Sequence, residues 1–524
     1  MSNIRLLAKA LTAALASIAV VGASFVAALP AAADASPPAG TPATVTADSL
    51  PTVQIDGVVW RQVISGSTVY AGGSFANARP AGAGQGEGLI QRENLLAYDL
   101  ETGELDDSWN PGANAQVKTV ALSPDGTRLY VGGSFTSIDG RNRYRMAAFN
   151  AQTGQLVTSF NAVLDATVNA IVATDTTVYA GGVFTVANGE PRSRIAAFAA
   201  SDGSLLPWNP SAEGGLVHGI AVSPDGSEVV VGGSFTSFNG SSDPGYGLAR
   251  VDASTGQSLA LPINAFIRNG TERGAITDLV GDEDGFYGSG YTYGAAGGTF
   301  EGVFAASWGT GELQWIKDCH GDTYAVHPQG DLVYSVSHNH WCGNIGSFGQ
   351  TDPVSNWTYY YANATTKYAT RIVGREQTTR YTNFEGQPGP TLVNWFPTFN
   401  VGTYTGSGQG PWSVTGNDRY IIMGGEFTFV NGVPQQGLSR FPAGDIAPNQ
   451  IGPSYSGASW PLSVRPIGEG ALRVSWQANA DRDDEHLLYE VVRDGNSTSP
   501  VAAIDAASQV WRRPFMGFTD TGLT

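Results

Sequence analysis

The run Val131-Gly132-Gly133-Ser134-Phe135-Thr136 is rewritten along the chain, and this repetition constrains the fold more than any other feature. It returns as Ala71-Gly72-Gly73-Ser74-Phe75, Ala180-Gly181-Gly182-Val183-Phe184-Thr185, Val231-Gly232-Gly233-Ser234-Phe235-Thr236 and Met423-Gly424-Gly425-Glu426-Phe427-Thr428. The Gly pairs lie 60, 49, 51 and 192 residues apart. Each closes a β-branched or aromatic run such as Thr127-Arg128-Leu129-Tyr130, so each reads as the end of a strand. A period of about fifty residues in β-rich sequence marks an array of propeller blades.

The whole unit is plainest from Val117 to Asn161. A first strand over 117–122 runs into the turn Ser123-Pro124-Asp125-Gly126, where Pro and Gly supply the fixed and positive φ angles that the turn needs. A second strand covers 128–132, and a polar loop over 137–143 leads to a third at 145–149. The turn Gln152-Thr153-Gly154 precedes an outer strand ending at Asn161, which makes four antiparallel strands. The Gly pairs read as packing devices beside a crowded axis, with Phe as the bulky plug. No helix start follows them, so they do not read as phosphate loops.

Seven copies begin near Val58, Val117, Val168, Val217, Ile276, Thr323 and Trp412. Copy five is reduced to Phe286-Tyr287-Gly288-Ser289-Gly290, and copy six has Leu332-Val333-Tyr334-Ser335-Val336-Ser337-His338 in place of the pair. Copy seven lacks an outer strand, while the segment 50–55 stands before copy one where the others carry theirs. The expectation is an all-β chain: a seven-bladed β-propeller over 51–447, closed when the N-terminal segment completes blade seven.

The run from Asp125 to Gly140 with Met146 to Phe160 resembles the delta-60 type repeat of secreted bacterial propellers. The ending from Gly424 to Phe441, followed by Asp445-Ile446-Ala447-Pro448-Asn449, resembles actinobacterial cell-surface propellers that run into fibronectin type III modules. Residues 453–524 resemble such a module, an Ig-like β-sandwich. Ala471 to Trp476 reads as strand B with its core Trp, Leu487 to Val492 as strand C, and Phe518 to Leu523 as the approach to strand F. Strands F and G do not follow, which implies an incomplete module, poorly stable alone, in a fragment of a longer protein.

Residues 1–33 read as a secretory signal: Arg5 and Lys9, an apolar stretch from Ala10 to Leu29, then Ala31-Ala32-Ala33 before Asp34. Residues 34–50 read as a disordered lead-in. A secreted or surface-attached protein follows from this reading, with no membrane insertion once the signal is cleaved. The formal charge of −18 argues against nucleic acid as a partner.

Blade six concentrates the reactive side chains. Four of the six His, at 320, 327, 338 and 340, and both Cys lie between 319 and 342. The strand order places Cys319 and Cys342 on one face with His320, Asp322, His338 and His340, while His327 belongs to the turn between strands one and two. An exported chain with two Cys most simply makes one disulfide, the alternatives being a thiolate metal site or a free nucleophile. Residues two apart on a strand point the same way. His338 and His340 could thus share a divalent metal with Asp322 or His320, or could brace the loop through hydrogen bonds and packing. An insertion over 343–390 carries Trp357, Tyr359, Tyr360 and Tyr361. With Trp341 these rings offer either a platform for sugar stacking or a small core of their own. Asp282, Glu283 and Asp284 read as a solvated turn. No cofactor is implied. The expected function is non-enzymatic binding of extracellular polysaccharide or a surface protein. The alternatives are a glycosidase-type hydrolase, or its accessory domain, and a structural envelope protein.

Overall fold

The computed structural model describes residues 40–293, 297–448 and 451–523. The expected signal peptide lies outside them, as does the start of the lead-in. No helix among the described residues is long and apolar enough to cross a membrane. The chain is an all-β protein built from antiparallel sheets, and seven of them follow the repeat. Their first strands are Val58–Ser65, Val117–Leu122, Val168–Ala173, Val217–Val222, Gly274–Gly281, Thr323–Gln329 and Pro411–Asn417, as the seven copies predict.

Each first strand lies against the first strand of the next sheet, and the seventh lies against the first. The Gly pairs explain this closeness. A methyl group added at the first Gly would strike the following sheet: Gly132 at 2.6 Å from Val168, Gly181 at 2.3 Å from Val217, and Gly424 at 2.6 Å from Val59. At the second Gly it would strike the first strand's own backbone, at 2.2 Å from Gln116 O for Gly133. One Gly therefore serves packing between sheets and the other the approach of two backbones. Gly132→Ala should cost about 2 kcal/mol by overpacking, read as a lower denaturant midpoint with an unchanged slope.

Four details differ from the expected blade. The outer strand shrinks to one bridged residue in most sheets, as at Phe149 with Leu156 and Phe198 with Leu205; among the described residues only sheet five has four full strands. The polar loop 137–143 is a small hairpin, Ser137–Ile138 with Arg141–Asn142. Asp139 and Gly140 take positive φ at its tip, which suits the twist of a tight hairpin. Residues 45–48 of the expected lead-in are buried rather than disordered. They belong to the segment that lines the edge of sheet seven, where Thr46 N donates to Pro442 O and Leu50 N to Arg440 O. That pairing runs over 46–50, upstream of the expected 50–55, while Gln54–Ile55 pairs with Ala78 and Arg79. Finally, the third strand of sheet six, Tyr360–Thr366, lies inside the stretch expected to be an insertion.

A second rule links neighbouring sheets. In sheets one to three a Tyr two residues before the Gly pair donates to a turn carbonyl of a later sheet: Tyr70 to Ala151 O, Tyr130 to Ala200 O and Tyr179 to Ala253 O. Sheets four and seven carry Val230 and Ile422 there, and the paired residue of the third strand is Arg250 or Arg440 instead of Ala. Arg440 crosses the seam between the last sheet and the first. Its guanidinium donates to Leu100 O, Glu101 O, Pro51 O and Thr52 Oγ1.

Residues 463–521 form two small sheets. Ser463–Gly468, Ala471–Gln477 and Phe515–Thr521 make one; His486–Val491 and Ala502–Ala507 make the other. Trp476 is buried between them against Tyr489. The stretch expected to approach a strand F instead pairs with the Trp476 strand, Phe518 opposite Val474. This module docks on sheet six. Trp511 packs on Phe348, Tyr360 and Phe396, and Phe396 N donates to Arg482 O at 2.8 Å. Ala47 N donates to Asp483 Oδ2, so the module also holds the N-terminal segment on sheet seven.

Candidate functional site: the central cavity and the face of sheet six

The backbone pairing of the seven sheets contains one shared irregularity. In each first strand a single residue bulges opposite the Gly pair or its equivalent: Trp60, Lys118, Asn169, His218, Thr277, Tyr324 and Trp412. A bulge leaves its extra residue unpaired and re-aims its side chain. All seven side chains line one cavity of about 780 Å³ at the axis of the ring. Sequence reasoning missed this ring. A partial signal was present, because the bulged residue directly follows a Val in the first four copies, at Val59, Val117, Val168 and Val217, and follows Ile276, Thr323 and Pro411 in the last three.

The ring is two-sided. Sheets six, seven and one contribute an aromatic wall: Tyr324 lies 4.4 Å from Trp412, and Trp412 lies 5.3 Å from Trp60. Lys118, Asn169, His218 and Thr277 form the polar wall. Below them Arg61 and Asp278 pair across the axis at 2.7 Å. Burial brings Lys118 down to about 8, and burial with the nearby Lys118 brings His218 down to about 4.

The cavity wall includes Asp322, which joins it to the face of sheet six. Asp322 Oδ2 accepts from Tyr324 Oη at 2.9 Å, and its backbone N donates to His338 Nε2 at 3.2 Å. Behind it, burial and the Asp322 carboxylate raise Glu301 well above the usual carboxylate range. Burial likewise raises Asp318, with Glu376 adding to the effect. No sequence pattern marked Glu301 or Glu376.

Cys319 and Cys342 form a disulfide with Cα atoms 4.6 Å apart, and both are fully buried. The predicted ligand side chains gather on this face, but each is engaged separately. His320 is sandwiched between Trp341 at 4.1 Å and Tyr381 at 3.6 Å, with Nε2 at 3.0 Å from Glu376. His338 Nδ1 meets Gln409 Oε1 at 3.1 Å, and His340 Nδ1 meets Gln350 Oε1 at 3.0 Å. His338 and His340 do lie on one side, each about 6.0 Å from the Tyr359 ring. Among the described residues no group of three or more His, Cys, Asp or Glu is arranged to hold a metal ion. His327 lies within the first strand of sheet six, not in the turn, and burial with Arg61 lowers it to about 4.

The five predicted stacking rings divide. Trp341 is 5% exposed under His320, and Tyr360 packs on Phe348 and Trp511. These two are structural. Tyr359 is 38% exposed, and it meets Trp357 and Tyr361 at ring distances of 6.3 and 6.2 Å. The Asp282 to Asp284 turn is not merely solvated, since Lys367 bridges Asp282 at 2.8 Å and Asp284 at 2.6 Å.

His340, stacked 3.8 Å from Trp357, is lowered to about 4, chiefly by burial. The unfolded chain protonates this imidazole near pH 6.5, whereas the folded chain does so only near 4. Its contribution is therefore lost as the pH falls from 6.5 to 4 and is constant below that. His340→Gln should flatten this part of the stability profile: between those two pH values its urea midpoint should fall less than the parent's.

Comparison with known proteins agrees on the fold. A family model described as the Rax2 C-terminal beta propeller domain matches residues 95–209, from the third strand of sheet one into the turns that follow sheet three. No curated protein matches the chain. Among solved structures, the Myceliophteria thermophila Cps50 (Swd1) beta-propeller domain is 11% identical, with a TM-score of 0.35. That comparison covers 72% of this chain and 96% of the other. The chain is a β-propeller protein.

Proposed function

We propose that the chain is a secreted or cell-surface binding protein that takes extracellular glycan at the mouth of the central cavity. In this reading residues 51–447 form a seven-bladed propeller closed by the N-terminal segment, and a fibronectin type III-like module acts as a spacer braced against blade six. The observation that carries the proposal is the ring of seven bulged side chains. Three adjacent aromatic rings face a polar wall across a cavity of about 780 Å³, large enough for a few sugar units. Sugars present apolar C–H faces beside hydroxyl edges, so stacking on one wall and hydrogen bonding to the other suits them. Tyr359 and Trp357 extend the aromatic surface from the cavity toward solvent.

The test is depletion of the full chain by a panel of bacterial, plant and fungal polysaccharides, with release of reducing ends recorded in the same tubes. Depletion without product supports the binding reading. Trp412→Ala should weaken binding about 30-fold, the loss of roughly 2 kcal/mol typical of an aromatic anchor. Absence of depletion across the panel would refute the proposal and leave a structural role ahead. One observation favours a hydrolase as the second reading: two carboxyl groups stand together behind the cavity, Asp322 on its wall and Glu301 raised well above the usual carboxylate range by burial and by Asp322. Reducing ends that disappear in Glu301→Gln would establish it.

A further inference from the structure

Lys118 is the one member of the bulge ring that carries a formal charge at neutral pH. Its ammonium stands 3.4 Å from the centroid of the Trp60 ring. Among the described residues it makes no ion pair. The other cation of the cavity wall, Arg61, is engaged by Asp278 at 2.7 Å. The side chains that follow Lys118 around the ring are Asn169 and His218. Asn169, which lines the cavity, donates from Nδ2 to Val217 O at 3.1 Å, and among the described residues no hydrogen bond reaches its amide oxygen. The ring itself contains no carboxylate. A half-buried ammonium over an aromatic face keeps its N–H donors, and it loses hydration that an anion would replace.

We propose that the glycan taken by the cavity is acidic: a uronate whose carboxylate meets Lys118 while its sugar face lies on Trp60 and Trp412. This rests on the binding reading above and names its ligand class. The formal charge of −18 opposes a polyanion spread over the outer surface, so recognition belongs inside the cavity. There the wall, within a screening length of about 8 Å, sets the local field. The other charged or titratable groups on that wall are Arg61, His218, Glu272, Asp278, Asp322 and the tyrosines. Arg61 is paired with Asp278, His218 is neutral at pH 7, and Glu272 and Asp322 add two carboxylates to the wall, so the anion site is confined to the Lys118 and Trp60 side of the ring.

The experiment is calorimetric titration of the full chain with tetragalacturonate, tetramannuronate and tetraglucuronate, each beside its neutral counterpart. At least one uronate should bind about tenfold or more tighter than its neutral partner, the worth of one charge-assisted contact. Lys118→Met should remove that preference by weakening the uronate far more than its neutral partner, and Lys118→Arg should keep it. The preference should also fade as the pH rises through about 8, where the free ammonium titrates. Equal affinity within each pair, or a preference that survives in Lys118→Met, would overturn this inference and leave the binding reading standing. No binding of any saccharide here or in the polysaccharide panel would overturn both.

Discussion

Arg440→Met should open the ring at its seam and lower the unfolding free energy by about 4 kcal/mol, the cost of removing a buried charged partner from its acceptors. The side chain is 1% exposed. It ties the third strand of sheet seven to the N-terminal segment through Pro51 and Thr52, and to sheet one through Leu100 and Glu101. Met fills part of the volume but supplies no donors, so four acceptors, those at Leu100 and Thr52 buried, lose their partner together. Gly103 is part of the same device: a methyl group there would lie 2.4 Å from the Arg440 guanidinium and 2.4 Å from Pro51 O. Two measurements check this. The thermal midpoint should drop, and limited proteolysis should cut first near residues 45–55, where the parent is protected. Arg250→Met is the comparison. It bonds Glu228, Ala260 O and Gly309 O within the ring, away from the seam, so it should destabilise without directing cleavage to the N-terminal segment.

Replacing Cys319 and Cys342 together by Ala should cost about 3 kcal/mol on the chain-entropy view of a loop of this length. The bridge spans 23 residues and joins the entry to the first strand of sheet six to the loop after its second strand. Between its ends sit His320 and Trp341, bridged to each other through the backbone, with His320 N donating to Trp341 O at 2.9 Å. Loosening the bridge should therefore release the Trp341–His320–Tyr381 stack. The change should appear as a shift in tryptophan emission well below the temperature of global unfolding. An unchanged emission spectrum with an unchanged midpoint would show that the surrounding hydrogen bonds hold the face without the bridge.

Both results depend on contacts of very different range, and the same division runs through what could be read from the residues. Most first strands were legible because their pattern is local: a β-rich run, a short polar turn, then a second run that ends in a Gly pair in five of the seven copies. The partnership of Cys319 with Cys342 was legible because a chain with two Cys has only one intramolecular bridge to make. The third strand of sheet six was not legible. Tyr360–Thr366 follows a long loop, and the pattern Tyr-Tyr-Ala-Asn-Ala-Thr-Thr resembles its surroundings more than it resembles the other third strands. The aromatic residues before it were grouped as one platform, yet Tyr360 and Trp341 turn inward while Tyr359 turns out. That choice depends on Trp511 and His320, which arrive from elsewhere in the chain.

Sequence alone determined that this protein repeats a strand-turn-strand unit seven times, since periodic Gly pairs and turn residues act through neighbours a few positions away. It also determined that chemistry concentrates between residues 319 and 342. Only the tertiary structure decided which side chains share a site. The bulged residues are 41 or more positions apart from one ring member to the next, and they meet because seven separate backbones make the same one-residue slip opposite the same motif. Three of the four His, 320, 338 and 340, close in sequence, were instead drawn apart to Glu376, Gln409 and Gln350, because each imidazole takes the nearest hydrogen-bonding partner that packing brings to it. The seam is the same case: Arg440 is an ordinary residue in its own strand, and its importance comes from residues 46–52 folding back beside it.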